Sequence, residues 1–161
     1  MTVAEYNSCA DLYSDGVYRF ILKNIKDDDT ANDIVQESFV RMWERVKEIS
    51  FEKAKSYLFT TAYHTMIDHI RRNKRYSEMD GTYETELQSS NSFNDLKEVI
   101  DEAVAKLPEI QRTVILLRDY EGYAYDEIGE ITGLNESQVK VYIFRARTFL
   151  KQYIGKLDLV V

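Results

Sequence analysis

Apolar residues recur at three- and four-residue steps along most of the 161-residue chain, the period of a helix face and not the two-residue alternation of a strand. Ile34, Val35, Phe39, Met42, Trp43 and Val46 make one such stripe behind Asp27, Asp28, Asp29 and Thr30. Thr30 followed by Asp33 has the pattern of a capping box. A second stripe runs through Ala54, Tyr57, Leu58, Thr61, Ala62, Met66 and Ile70 and ends in Arg71, Arg72, Lys74 and Arg75, cations that suit the negative end of a helix dipole. The period then lapses from Ser77 to Asn94, where Gly81, Ser89, Ser90, Asn91 and Ser92 give the composition of a linker. Leu96, Val99, Ile100, Ala103, Val104 and Leu107 restore a helical face, and Pro108 fits the first position of the next helix, carried by Val114, Ile115 and Leu117.

Two further helical patterns meet across Gly133. Asp126 to Thr132 turns Ile128 and Ile131 inward, and Asn135 to about Ile154 turns Val139, Ile143, Ala146 and Leu150 inward. Asn135 is a good amino-terminal cap, with Gln138 where a capping box wants it. This is the spacing of a helix-turn-helix. With one proline and six glycines in the whole chain, the pattern predicts an all-α protein. Two small helical domains, 1–76 and 95–161, are joined by a flexible acidic linker over 77–94, and the second carries the helix-turn-helix.

Charge changes the picture by its distribution. The net charge is −7, which argues against a protein that coats DNA by bulk electrostatics. Between Lys53 and Tyr76, however, Lys53, Lys55, Arg71, Arg72, Lys74 and Arg75 face Asp68 alone; from Glu78 to Glu102 the sign reverses, with Lys97 the only cation. No apolar stretch approaches the roughly 20 residues of a membrane-spanning helix, so no membrane insertion is expected. Glu5, Asp11 and Asp15 stand where a secretory signal would be basic and then apolar, so a cytoplasmic protein is expected. The single cysteine, Cys9, has no disulfide or zinc partner and reads as a buried, inert thiol.

Candidate chemistry lies in two places. On the last helix, Lys140, Phe144, Arg145 and Arg147 fall away from the apolar stripe, positioned for base edges and phosphates of a major groove. In the first half, Phe51, Tyr57, Phe59, Tyr63 and His64 interleave with Lys53, Lys55, Arg71 and Arg72, and aromatics beside a basic track are what unpaired bases require. Burial habits alone make Trp43, Tyr57 and Phe59 core residues more often than ligand platforms. His64, Asp68 and His69 suggest a metal site, but no third ligand shares the His64 and Asp68 face, so neither a metal nor any other cofactor is expected. No nucleophile or acid–base constellation is evident, so no catalytic residue is assigned.

These segments, in this order, resemble the extracytoplasmic-function group of sigma factors over about Tyr13 to Tyr153. Asp33 to Trp43, with Gln36 and Glu37 together, is similar to the family's polymerase-binding helix. The resemblance implies that Asp33, Gln36, Glu37, Arg41 and Trp43 contact the clamp helices of the largest subunit of core RNA polymerase. Tyr57 to Ala62 and Ile67 to Arg72 resemble the segment that holds the melted minus-ten element, implying roles for Phe51, Lys55, Tyr57, Tyr63, His64, Arg71 and Arg72. Leu107-Pro108-Glu109, Glu121 to Ile128, and Phe144-Arg145-Ala146-Arg147 resemble the minus-thirty-five reader, implying duplex contacts from Ser137, Gln138, Lys140, Val141, Phe144, Arg145 and Arg147. Core polymerase and promoter DNA, both duplex and melted non-template strand, are the implied partners, and restraint by an anti-sigma protein is usual in the family.

The chain departs from the family where Tyr63 and His64 replace a common arginine and asparagine, where Val141 and Tyr142 replace serine and arginine, and where Ala124 replaces a serine cap. The readings that compete are a free-standing helix-turn-helix regulator, which would bind duplex DNA without polymerase, and a helical adaptor binding only protein. A metal-dependent nuclease has the least support.

Overall fold

The protein is described by a computed structural model over residues 1–80 and 96–158; most of the linker expected at 77–94 lies outside the described residues. Among the described residues seven α-helices run in the order α1 (Val3–Ile25), α2 (Asp28–Glu44), α3 (Ala54–Asp80), α4 (Leu96–Ala105), α5 (Glu109–Ile115), α6 (Tyr125–Thr132) and α7 (Glu136–Asp158). A short 3₁₀ turn, Phe51–Lys53, precedes α3, and α5 widens into a π-turn over Leu116–Tyr120. The described residues contain no strand.

α1 forms without a dense apolar stripe, because its ends are fixed locally. The Thr2 hydroxyl accepts from the Glu5 amide while the Glu5 carboxylate accepts from the Thr2 amide, a complete capping box. Lys26 then closes the helix in the left-handed region at φ 56°. Its buried face of Cys9, Val17, Phe20 and Ile21 packs on α2 and α3. The buried Cys9 thiol accords with the sequence reading.

The start of α2 differs from expectation. The helix begins at Asp28 with Asp27 as cap, and Thr30 lies inside it, its hydroxyl donating back to the Asp27 carboxylate. The expected Thr30–Asp33 box is therefore absent; the acidic run ahead of Thr30 suits the positive helix end and is recruited into the helix. The inward face of α2 is Ala31, Ile34, Ser38 and Met42, with the Ser38 hydroxyl satisfied by the Ile34 carbonyl. Trp43, placed on the apolar stripe by period, stands half-exposed instead. Pro108 caps α5 one position ahead of the helix, and α3 continues past Tyr76 to Asp80.

The second unit gathers Leu107, Val114, Leu117, Ile128, Ile131, Val139, Ile143 and Ala146. Its turn between α6 and α7 is set by two glycines. Gly133 ends α6 at φ 79°, where glycine carries no Cβ penalty. Gly129 admits the backbone of the turn: a Cβ there would sit 2.8 Å from the Leu134 carbonyl oxygen. Gly129→Ala should thus force the turn outward and cost about 1–3 kcal/mol, as overpacking does, lowering the thermal midpoint by several degrees. An unchanged midpoint by calorimetry would contradict this close approach.

The two units are packed together and not held apart. α1 meets α4 and α5, and α3 meets α6. Phe59 of α3 lies 5.7 Å from the Phe20 ring and 5.2 Å from the Tyr123 ring, so one apolar cluster continues through both halves.

Candidate functional site

Three surfaces carry the residues singled out by the sequence. The first is the outer face of α2. Asp33, Gln36, Glu37, Arg41 and Trp43 are all exposed, since the helix buries the opposite side against α1 and α3. Glu37 and Arg41 pair one turn apart at 2.7 Å. Trp43 is braced edge-on by Tyr6, ring centroids 5.0 Å apart, and the Tyr6 hydroxyl donates to the Phe39 carbonyl. Sequence reasoning missed Val40, 55% exposed on the same side; its position one turn after Gln36 was the available signal. The face thus combines acidic and amide groups with an exposed valine and indole, the mixture found where one helix docks on another protein.

The second surface is α3, and here the structure divides the expected residues. Tyr57, His64, Arg71 and Arg72 lie on an open side, Tyr57 half-buried and the others exposed, with Phe51 half-buried in the turn before the helix. Lys55, Phe59 and Tyr63 follow one another at four-residue steps on a different stripe, which the second unit covers. The Lys55 ammonium rests 4.5 Å from the Tyr123 ring centroid. Phe59 is buried against that ring, in line with its reading as core. Tyr63 is also buried, and burial raises its hydroxyl above the ordinary range, with Glu109 of α5 adding to the rise. In this arrangement Tyr63 is buried, and Lys55 is half-buried with its ammonium held against Tyr123.

His64 and Asp68 are both exposed, and His69 shares a hydrogen bond with Asn73 at 3.1 Å. Among the described residues no group of three His, Cys, Asp or Glu could hold a metal.

The third surface is α7. Asn135 and Gln138 satisfy each other's backbone amides at 2.8 and 3.0 Å, which fixes the first turn as the sequence predicts. Gln138 spends its carbonyl oxygen in that cap. Ala124 supplies only half a box to α6: its amide donates to Glu127, and alanine has no oxygen to return the bond. Ser137, Gln138, Lys140, Val141, Phe144, Arg145 and Arg147 are all exposed, because Val139, Ile143 and Ala146 take the inward side. Phe144 is 71% exposed, an apolar group of the kind that meets a thymine methyl.

Lys140 pairs with Glu136 at 3.2 Å and lies over the Tyr125 ring, and Arg145 lies over Tyr142. Arg147 is engaged more firmly. Its guanidinium donates twice to Asp119, at 2.6 and 3.2 Å, and the hydrogen bonds to that carboxylate raise its pKa.

Comparison with known proteins agrees with this geometry. The sequence profile of Sigma-70 region 2 matches residues 10–76, and that of Sigma-70, region 4 matches residues 97–150. The chain belongs to the sigma-70 family, in its extracytoplasmic-function group. It is thus a polymerase-associated transcription initiation factor and not an enzyme or a free-standing regulator. Its relatives include RNA polymerase sigma factor SigV of Bacillus subtilis (strain 168), 33% identical over 94% of this chain and 92% of that one. ECF RNA polymerase sigma factor SigM of the same organism is 30% identical over 87% and 89%. In fold it is similar to the sigma factor RpoE crystallised with the anti-sigma factor NepR from Bartonella quintana. That likeness has a TM-score of 0.81 at 20% identity and covers 95% of this chain and 98% of that one. No helix among the described residues is long and apolar enough to cross a membrane.

Proposed function

We propose that the three surfaces divide the work of promoter opening. The outer face of α2, with Asp33, Gln36, Glu37, Arg41 and Trp43, docks on the clamp helices of the largest polymerase subunit. The open side of α3, with Tyr57, His64, Arg71 and Arg72 and the preceding Phe51, holds the melted non-template strand of the minus-ten element; Lys55 and Tyr63 join it once uncovered. The exposed face of α7, from Ser137 to Arg147, enters the major groove of the minus-thirty-five element. The observation that carries this reading is the segregation itself: each set lies on one outward helix face whose reverse side is core. Tyr63 and His64, their ring centroids 5.4 Å apart, stand where relatives commonly carry arginine and asparagine, so the minus-ten preference of this chain differs from theirs.

The protein works in the cytoplasm, where its polymerase is. Two similar structures, of the sigma factor RpoE in complex with the anti-sigma factor NepR and of CnrH in complex with the cytosolic domain of CnrY, support an anti-sigma protein as a further partner. The α2 assignment is tested by Gln36→Ala with Glu37→Ala. Both positions are exposed, so folding should change by no more than about 0.5 kcal/mol. Affinity for core polymerase, read by co-elution or surface binding, should fall severalfold while the circular dichroism stays unchanged. Undiminished core affinity would remove α2 from the polymerase interface.

A further inference from the structure

Trp43 stands on the outward face of α2 with 47% of its surface open to solvent. It lies in the last turn of that helix, which ends at Glu44, and last turns fray unless something outside the helix holds them. An exposed indole on a fraying turn samples several rotamers, and a partner has to freeze it on binding. Here α1 holds it. The Tyr6 ring meets the indole edge-on with centroids 5.0 Å apart, and meets the Phe39 ring at 6.1 Å and 89°. The Tyr6 hydroxyl donates at 2.8 Å to the Phe39 carbonyl, the same carbonyl that helix geometry assigns to the Trp43 amide four residues on. Tyr6 therefore pins both the backbone and the ring of Trp43.

Tyr6 is itself fixed. It sits in the first turn of α1, where Thr2 and Glu5 close their capping box, and its amide donates to the Thr2 carbonyl at 2.9 Å. The side chain is half-buried and its hydroxyl is spent, so it presents little to a partner directly. Packing of α1 on α2 does not require that hydroxyl: a phenylalanine would bury the same ring, and the Phe39 carbonyl already has its helical partner. Tyr6 also lies ahead of residues 10–76, the span matched by the Sigma-70 region 2 profile.

We propose that Tyr6 is a positioning residue for polymerase docking: it presents the Trp43 indole in one orientation, so that the clamp helices of the largest subunit meet a preformed aromatic contact beside Gln36, Glu37 and Val40. The proposal rests on the reading of α2 as the polymerase face. Tryptophan is enriched among the few contacts that dominate protein interfaces. Freezing one side chain on binding costs about two- to tenfold in affinity, and Tyr6 removes that cost before polymerase arrives.

The test uses the full chain and core polymerase. Trp43 is the single tryptophan, so its fluorescence, excited where tyrosine does not absorb, reports on it alone. Tyr6→Leu should lower Trp43 anisotropy in the free chain and weaken core binding about two- to tenfold, with the far-ultraviolet circular dichroism unchanged. Tyr6→Phe keeps the packed ring and the fold, and should give an intermediate loss of both. Trp43→Ala should weaken core binding at least as much as Tyr6→Leu, and adding Tyr6→Leu to it should cost nothing further, because Tyr6 acts through the indole. Wild-type Trp43 anisotropy or wild-type core affinity in the Tyr6 variants would overturn the proposal. So would an additive loss in the double variant, which a merely structural role for Tyr6 would produce. Gln36→Ala with Glu37→Ala separates the two readings. If that pair weakens core binding and Trp43→Ala does not, the Tyr6 proposal alone falls; if neither does, the polymerase face lies elsewhere and the proposal falls with it.

Discussion

Lys140→Ala and Arg145→Ala are each expected to lower holoenzyme affinity for a cognate upstream element by about 5- to 150-fold, and to relax base preference there. The magnitude is that of one lost bidentate base contact, about 1–3 kcal/mol. The structure makes the test clean. Both side chains are exposed, their partners Glu136, Tyr125 and Tyr142 are local to the helix-turn-helix, and surface pairs of this kind contribute little to folding. Arg147→Ala should behave differently. Its guanidinium is oriented by two hydrogen bonds to Asp119, so it offers a positioned charge to a phosphate and no free fork to a base. The expected loss is uniform across sequences, with a shallower dependence on salt. Retained promoter choice in all three variants, measured by transcript starts on a promoter panel, would mean that α7 is not the reading helix.

The second large effect concerns the free protein. A chain of net charge −7 repels duplex DNA over distances near a Debye length, roughly 8 Å at physiological salt. Arg147, Lys140 and Arg41 are each committed to a carboxylate. A cation so paired contributes less to counterion release, which is the source of nonspecific affinity. On the proposed reading polymerase places both units on one surface, so that the second contact becomes intramolecular and weak contacts multiply. Linked contacts of this kind gain about 10²–10⁴ in avidity. The promoter affinity of the assembled enzyme should therefore exceed that of the free chain by at least two orders of magnitude.

Much of this was legible in the sequence, and what was not has identifiable physical reasons. The Asn135–Gln138 cap, the turn at Gly133 and the outward set on α7 follow from local rules with a range of three or four residues, and the structure reproduces them. The outward face of α2 was legible for the same reason. α1 escaped notice because its apolar positions are diluted by polar ones; its caps, Thr2 with Glu5 and Lys26, hold it instead. Trp43 was misplaced because helical period marks a stripe without saying how wide the neighbouring helices make the buried part. The fate of Lys55 and Tyr63 could not be read at all. It depends on Tyr123 and Glu109, far away in sequence and brought together only by packing between the two units. Likewise Arg147 reads as a free phosphate ligand until Asp119, on the π-turn, is found beside it.

The most direct test of the account is equilibrium binding of the purified chain to a fluorescent duplex carrying a cognate promoter, near physiological salt, with and without core polymerase. The account predicts no sequence-specific binding by the chain alone at micromolar concentration, and specific binding at nanomolar concentration once core polymerase is added. Nanomolar, sequence-specific binding by the chain alone, unchanged by core polymerase, would contradict it.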